Sequence, residues 1–265
     1  MYFKKDVEAM RDSVREIQHY FVRIEVYLEK FNVVLNEIKQ FSVRFDIIDQ
    51  TESSHLEQRY RGVGSHLNEQ QISEWKQKEK LRIIKEYNSK RNLVITNVLK
   101  KIHEDEDIIR KIFLQLRYID EEREMLLQHA TLIGNSLNSN SLIEVKEVAT
   151  KPIFESLIII KDNLNIILSL FNHARKLLVV LKEKYTLGES TKTQRTVILE
   201  NFGKINAVCG ELKVVFSNET AKKFISGIFE TLSLIKDRDQ LNNPLGALQS
   251  NLNLLESDLK EKKLW

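Results

Sequence analysis

The sequence is poor in the two residues that punctuate most folds, with only 8 glycines and 2 prolines in 265 residues. Tight turns and strand ends depend on both residue types, so the chain has few connections and the elements between them must be long. Cofactor-binding α/β folds also need glycine in their phosphate-binding loops. The scarcity argues against most such folds, and we expect no cofactor and no small-molecule substrate.

Cysteine is nearly absent as well, since Cys209 is the only one. A single cysteine excludes an intramolecular disulfide framework and a structural zinc site built on several thiolates. The chain also lacks an excess of one charge, because 41 basic and 38 acidic residues leave a formal net charge of +3. A duplex-binding protein usually carries a clustered basic excess, so we expect no nucleic-acid partner.

Long uninterrupted apolar runs are missing too. Residues 1–6 already contain three charged side chains and show no apolar signal region. Charged residues and a histidine interrupt the most hydrophobic segment, residues 153–181, so its longest charge-free run is too short for a single-helix membrane span. We therefore expect neither a signal peptide nor a constitutive transmembrane helix, and a location in the cytoplasm or release without a signal peptide.

Helical periodicity is what the sequence does have. From Phe3 to Ile38 apolar residues recur at a 3–4 spacing over about five heptads, which is typical of a helix that presents one stripe to a partner helix. A second stripe, which includes Tyr20, runs beside the first, and together they are wide enough for two neighbouring helices. The pattern shifts after Ile38, where Ser42 falls on the expected apolar position, and this indicates a local change in supercoil.

Short glycine- and asparagine-containing segments place the connections. Residues 61–65, with Gly62 and Gly64, are predicted to form a turn, and residues 134–141 form the clearest loop. The Gly-x-Gly pair is a poor phosphate loop, because no strand precedes it and no Lys-Ser/Thr follows it. After the first helical stretch, further helices are predicted over residues 73–133, 142–185, 193–216, 219–236 and 244–262.

These segments predict an all-α fold, an elongated bundle of long antiparallel amphipathic helices in a single domain of residues 1–265. The chain is polar on both sides of the predicted turn, so we expect a projecting coiled-coil hairpin at about residues 45–95. Residues 153–181 are apolar nearly all round, which predicts that this helix lies at the centre of the bundle. Pro152 either kinks that helix or opens its main part.

Two Glu-x-x-His pairs, Glu16/His19 and Glu52/His55, have the spacing found in di-metal helical bundles. Such a site needs one pair from each of two facing helices, whereas both pairs here belong to one helical stretch. Chance explains the spacing better. We find no arrangement of nucleophile and base either, so we expect no metal, no catalytic residue and no enzymatic activity.

Residues 103–107 (His-Glu-Asp-Glu-Asp) form the densest charge cluster. A helix cannot wrap ligands around a cation, so a solvated acidic face is the favoured interpretation over a divalent-cation site. Asp105 differs from the others because it replaces an apolar residue of the helical seam, as Arg123 does further along. A buried Asp105 would need a Lys or Arg partner on a facing helix.

One basic stretch lies beside aromatic residues and could meet phosphates of an anionic lipid surface, or a protein partner. Its simpler interpretation is a solvated helix face. The candidate membrane or partner contacts are Trp75, Lys76, Lys78, Lys80, Arg82 and Tyr87.

Small residues line one side of the fourth predicted helix, where Gly203, Ala207 and Gly210 share a face. Such a strip lets another backbone come close. Cys209 lies beside it, and with no histidine nearby in sequence it is predicted to be an inert core thiol.

The patterns together favour a non-enzymatic interaction or assembly protein that acts through coiled-coil surfaces, with a protein partner or self-assembly into an oligomer. In gross plan the long helices also resemble the elongated α-helical pore-forming toxins, a resemblance of architecture without a signature motif. It implies a membrane-active subunit that stays soluble until it assembles on a membrane, with residues 75–87 or 153–171 as the membrane-facing segment. A curved membrane-sculpting dimer would need a stronger basic face.

Overall fold

The computed structural model describes residues 2–61, 67–136, 140–187 and 191–215, and every regular element among them is an α-helix. The predicted all-α class is therefore confirmed for this part of the chain. The helices predicted at 219–236 and 244–262 lie outside it. The five helices are α1 (Tyr2–Lys39), α2 (Phe41–Arg61), α3 (Glu69–Ser136), α4 (Asn140–Leu187) and α5 (Lys192–Val215).

The ends of the helices follow local chemistry. The break between α1 and α2 falls at Gln40, two residues after Ile38, where the heptad pattern shifts. Ahead of α3, the side-chain oxygen of Asn68 accepts a hydrogen bond from the backbone N–H of Gln71 at 2.8 Å. The side-chain oxygen of Gln71 in turn accepts one from the backbone N–H of Asn68 at 3.1 Å. This reciprocal pair is a capping box, and it starts α3 four residues earlier than predicted.

Two helices extend beyond their predicted limits. α3 continues to Ser136 and so includes the first three residues of the predicted loop at 134–141. α4 already begins at Asn140, which places Pro152 inside the helix and not at its opening. Because proline has no N–H, the helix lacks one backbone donor there.

Contacts divide the chain into two units. Unit 1 comprises Met1–Glu29, Ile108–Asn165 and Cys209–Trp265, and unit 2 comprises Lys30–Asp107 and Ile166–Val208. The single domain expected over residues 1–265 stays a prediction.

The core of unit 1 is built from the heptad seams of α1, α3 and α4. Beside the seam, the rings of Tyr20 and Tyr118 stack with centroids 5.2 Å apart, so the second stripe of α1 also finds a partner helix. Lys161 of α4 donates to Asp120 of α3 at 3.1 Å at the edge of this core. In these three helices the buried apolar residues of unit 1 are Ile17, Phe21, Ile24, Leu28, Ile109, Ile112, Leu116, Ile119, Leu126, Leu157, Ile160 and Leu164, and α5 adds Cys209 and Leu212.

The core of unit 2 contains most of the buried aromatic rings. Phe31 of α1 meets Phe171 of α4 edge-on at 6.1 Å, and Phe41 of α2 meets Phe202 of α5 edge-on at 6.3 Å. Edge-to-face pairs of this kind add to the hydrophobic stabilisation of the core. Further buried residues are Leu35, Ile38, Phe45, Ile83, Ile95, Val98, Ile102, Ile167, Leu178, Leu181, Ile198 and Ile205.

α4 is not the enclosed central helix that its composition predicted. Its buried residues recur at a 3–4 spacing from Leu157 to Tyr185 and occupy one face. Large apolar residues remain exposed on its other side, among them Ile159 (51% exposed), Ile166 (47%) and Val179 (48%). The prediction is wrong because a helix that is apolar nearly all round can still be packed on one face only.

Candidate functional site

The described part of the chain holds no group of three or more His, Cys, Asp or Glu side chains that could bind a metal ion. Glu16 and His19 are both exposed on α1. Glu52 instead contacts the guanidinium of Arg91, and the His55 ring lies edge-on to the Tyr87 ring at 6.1 Å. In unit 2, Glu52 and His55 thus contact side chains of α3.

The densest polar arrangement lies in unit 2 and joins α2, α3 and α5. Arg91 of α3 is buried, donates to Oδ1 of Asp49 from Nη2 (2.8 Å) and Nε (3.2 Å), and also contacts Glu52. Arg195 of α5 donates to Oδ2 of Asp49 at 2.6 Å and contacts Asp46. Both arginines thus share one carboxylate, and we call these five residues the arginine cluster.

Aromatic rings separate the two guanidinium groups. The Arg91 guanidinium lies over the ring of Tyr185 at 4.6 Å, and the Tyr185 ring stacks on that of Phe45 at 5.5 Å. Arg195 covers Phe45 at 5.5 Å. The side-chain amide of Asn88 donates to the backbone carbonyl of Tyr185 at 2.7 Å, so the last turn of α4 is tied to α3 as well.

Electrostatics keep both arginines charged. Burial by itself lowers the pKa of Arg91, but hydrogen bonds and charges from Asp49 and Glu52 outweigh it and raise that pKa overall. The pKa of Arg195 is also raised, against the effect of burial, by Tyr185 and by the carboxylates of Asp46 and Asp49. The guanidinium donors are directed at carboxylates of the chain itself, so the arginine cluster fastens helices together and offers no open site for an anion.

Asp105 is fully buried (0% exposed), and neither carboxylate oxygen has a hydrogen-bond partner. Burial, reinforced by the charge of Glu104, raises the pKa of Asp105 to about 9. The ammonium group of Lys101, one turn earlier, is bound by Glu37 at 3.0 Å and Glu104 at 2.8 Å. The predicted burial is confirmed, whereas the predicted cationic partner on a facing helix is wrong.

The rest of the acidic cluster is only partly solvated. Glu106 is buried and accepts a hydrogen bond from Arg175 of α4 at 2.5 Å. His103 is exposed, with ring nitrogens 3.9 Å from Glu106 and 3.7 Å from Asp107. A solvated acidic face therefore describes part of the cluster, and Asp105 and Glu106 belong to the core of unit 2.

The basic stretch is divided between surface and core. Trp75 is half-buried with its ring edge-on to that of Tyr60 at 6.3 Å. Tyr87 is buried between α2 and α3 (4% exposed), and its role as a contact residue stays a prediction. The four cations of the predicted set are exposed, namely Lys76, Lys78, Lys80 and Arg82.

Contacts between α2 and α3 explain why the aromatic rings are covered. The Tyr60 hydroxyl donates to the backbone carbonyl of Lys76 at 3.3 Å, and Arg59 forms an ion pair with Glu79 at 3.7 Å. These pairs run in opposite directions along the two helices, as in an antiparallel arrangement. One face of α3 therefore meets α2, and the lysines lie on the remaining surface.

Cys209 is buried, as predicted for a core thiol. The strip of small residues next to it points away from the core, since Gly203, Ala207 and Gly210 are all exposed. A Cβ atom added at Gly203 or Gly210 would meet no other atom within 4 Å. The expected close approach of another backbone is not found in the described structure.

No family model, no curated protein and no solved structure matches this chain.

Proposed function

We propose that this chain is a non-enzymatic helical protein that binds other protein chains, or copies of itself, through coiled-coil surfaces. The observation that carries the proposal is the uncovered apolar side of α4. In unit 2, Ile166, Val179 and Val180 are exposed there, and in unit 1 Ile158 and Ile159 are. A surface helix normally turns charged and polar residues outward, and exposed apolar residues on one helix indicate a partner surface.

The proposal includes an elongated bundle with a projecting coiled-coil hairpin at about residues 45–95. Support comes from α2 and the first half of α3, which meet in antiparallel register at Tyr60–Lys76, Arg59–Glu79 and His55–Tyr87. A helix pair of this kind can hold an interaction surface away from the arginine cluster at its base.

Light scattering of the full chain over a range of concentrations tests the assembly. We expect a mass above that of one chain, and Ile166→Gln combined with Val179→Gln is expected to shift the protein to monomer by removing apolar contact area. The matched control is Ser169→Gln combined with Asn172→Gln, at exposed polar positions of the same helix. A wild-type chain that stays monomeric throughout, or a control that dissociates equally, contradicts self-assembly through α4.

The second candidate function is that of a membrane-active subunit that is soluble until it assembles on a membrane. It is favoured by the segment Leu157–Leu187 of α4, which by length and composition could cross a bilayer and has a mean hydropathy of 1.4. The core helix of a soluble protein can have the same length and composition, but only 33% of this window is buried.

Dye release from liposomes tests this second function. If α4 enters the bilayer, wild-type protein releases dye, and Ile166→Lys is expected to reduce release strongly because a charge at bilayer depth costs about 3 kcal/mol. Lys176→Gln, which removes a charge from the same helix, should retain release. Absence of binding and release at every pH and lipid composition would remove the membrane-active function.

A further inference from the structure

One face of α3 in unit 2 gathers positive charge around an exposed leucine. Lys78, Leu81, Arg82 and Lys85 follow the i, i+3, i+4, i+7 spacing that aligns side chains along one side of a helix. All four are exposed, and Leu81 is 63% exposed. We call these four residues the basic stripe.

The packing of α3 on α2 directs the basic stripe outward. Ile83 and Tyr87 are buried, and Trp75 and Glu79 are half-buried on the side of α3 that meets α2. The basic stripe lies on a different face of α3 from the one that packs on α2, so it has no role in holding this helix pair together. Leu81, which would be favourable in the core, remains in solvent.

The lysines of the stripe also lack charge partners. Lys78 and Lys85 have no carboxylate within ion-pair distance among the residues that the structure describes, and Arg82 pairs with Glu79 at 3.4 Å while remaining mostly exposed. Other cations of unit 2 differ, since Arg91, Arg195 and Lys101 are each bound by two carboxylates. Two exposed carboxylates adjoin the stripe in sequence, Glu74 one turn before Lys78 and Glu86 directly after Lys85, and Glu86 pairs with Lys90 at 3.6 Å.

We propose that the basic stripe binds an anionic lipid surface, with its cations at the lipid headgroups and Leu81 entering the interface. Lys and Arg near such a surface are drawn by its negative potential, and their long stems let the charge stay at headgroup level while an apolar neighbour goes deeper. A nucleic-acid surface would attract the cations but offers little to an exposed leucine. The contact deepens the membrane-active function, yet it needs no insertion of α4, so the two can fail separately.

Flotation of the full chain with vesicles tests the proposal. We expect binding to phosphatidylserine-containing vesicles at low salt, weak binding to pure phosphatidylcholine vesicles, and release as salt is raised. Lys78→Gln combined with Lys85→Gln should weaken binding by about 25-fold, from about fivefold per charge. The matched control is Lys100→Gln combined with Lys204→Gln, which changes net charge equally at two other exposed lysines.

Leu81→Gln separates insertion of the leucine from charge attraction. It should weaken vesicle binding several-fold while leaving the salt dependence unchanged, because it removes apolar contact and no charge. All these positions are exposed, so thermal unfolding should stay as in the wild type and confirms that each variant is folded.

Three outcomes overturn the proposal. They are equal binding to both kinds of vesicle or to neither, equal losses in the stripe and control variants, and preferential binding of duplex DNA over anionic vesicles. Dye release addresses α4 independently. Stripe-dependent flotation without release supports surface binding alone, whereas release that is unaffected by the stripe variants supports α4 alone and contradicts the stripe.

Discussion

At the scale of single residues, the carboxyl group of Asp105 stands out because it occupies a heptad seam between Ile102 and Ile109. Both oxygens are buried without a hydrogen-bond partner. Even in its neutral form such a group costs about 1–3 kcal/mol relative to a satisfied one. The core of unit 2 therefore tolerates a residue that lowers stability.

Asp105 should make stability depend on pH in a distinctive direction. Its pKa is raised from 3.8 to about 9 in the folded state, so between these values the folded chain keeps a proton that the unfolded chain has lost. The free energy of unfolding is therefore highest at acid pH, where Asp105 is protonated in both states. It falls as pH rises from about 4 to about 9, by up to about 1.4 kcal/mol per pH unit. Asp105→Asn should flatten that slope in urea unfolding measured across the range.

Asp107→Asn is the matched control, since Asp107 is half-exposed two residues away. It should keep the wild-type slope, and Asp105→Leu should raise the unfolding temperature at neutral pH. Identical pH slopes in wild type and Asp105→Asn would show that the carboxyl group is solvated or paired after all.

At the scale of elements, the arginine cluster is what holds α5 and the end of α4 to α2 and α3 in unit 2. Asp49 accepts hydrogen bonds from Arg91 of α3 and from Arg195 of α5. The stacked rings of Tyr185 and Phe45 lie between them, so the cluster is both polar and closely packed. Loss of the shared carboxylate should loosen three helices together.

Asp49→Asn should lower the free energy of unfolding by about 1–3 kcal/mol. Breaking a buried ion pair usually costs more, but the Asp49 side chain is 35% exposed and solvent screens part of the effect. Glu57→Gln on the same helix removes an exposed ion pair with Arg61 and should change stability by less than about 0.5 kcal/mol. Equal unfolding midpoints in urea for the two variants would contradict a fastening role.

At the scale of the whole molecule, the helices could be located from the sequence because their signal is local. The apolar repeat from Phe3 to Ile38 and the scarcity of glycine can both be seen in short stretches of sequence. The residues of that repeat are buried in α1 from Ile17 to Ile38, as the repeat predicted. The capping residues Asn68 and Gln71 were also readable as an Asn-x-x-Gln pattern, although the predicted start of α3 missed it.

Features that depend on distant pairing could not be predicted. The arginine cluster brings together residues 39 to 149 positions apart, and on α2 only the spacing of Asp46, Asp49 and Glu52 beside the core seam hinted at it. The prediction that α4 is enclosed by other helices was wrong for the same reason, because the apolar composition of a helix does not show which of its faces neighbouring helices cover. At Asp105 the burial followed from periodicity, but Lys101 is bound elsewhere, and only packing decides that.

Protonated Asp105 has a last consequence for the molecule as a whole. The formal net charge of +3 counts every carboxyl group as ionised. With the pKa of Asp105 at about 9, that group is neutral at physiological pH, so the native chain is more positive by one charge than its composition states. Folding at neutral pH is then accompanied by proton uptake, and the extra positive charge of the native state would strengthen the proposed attraction to an anionic lipid surface.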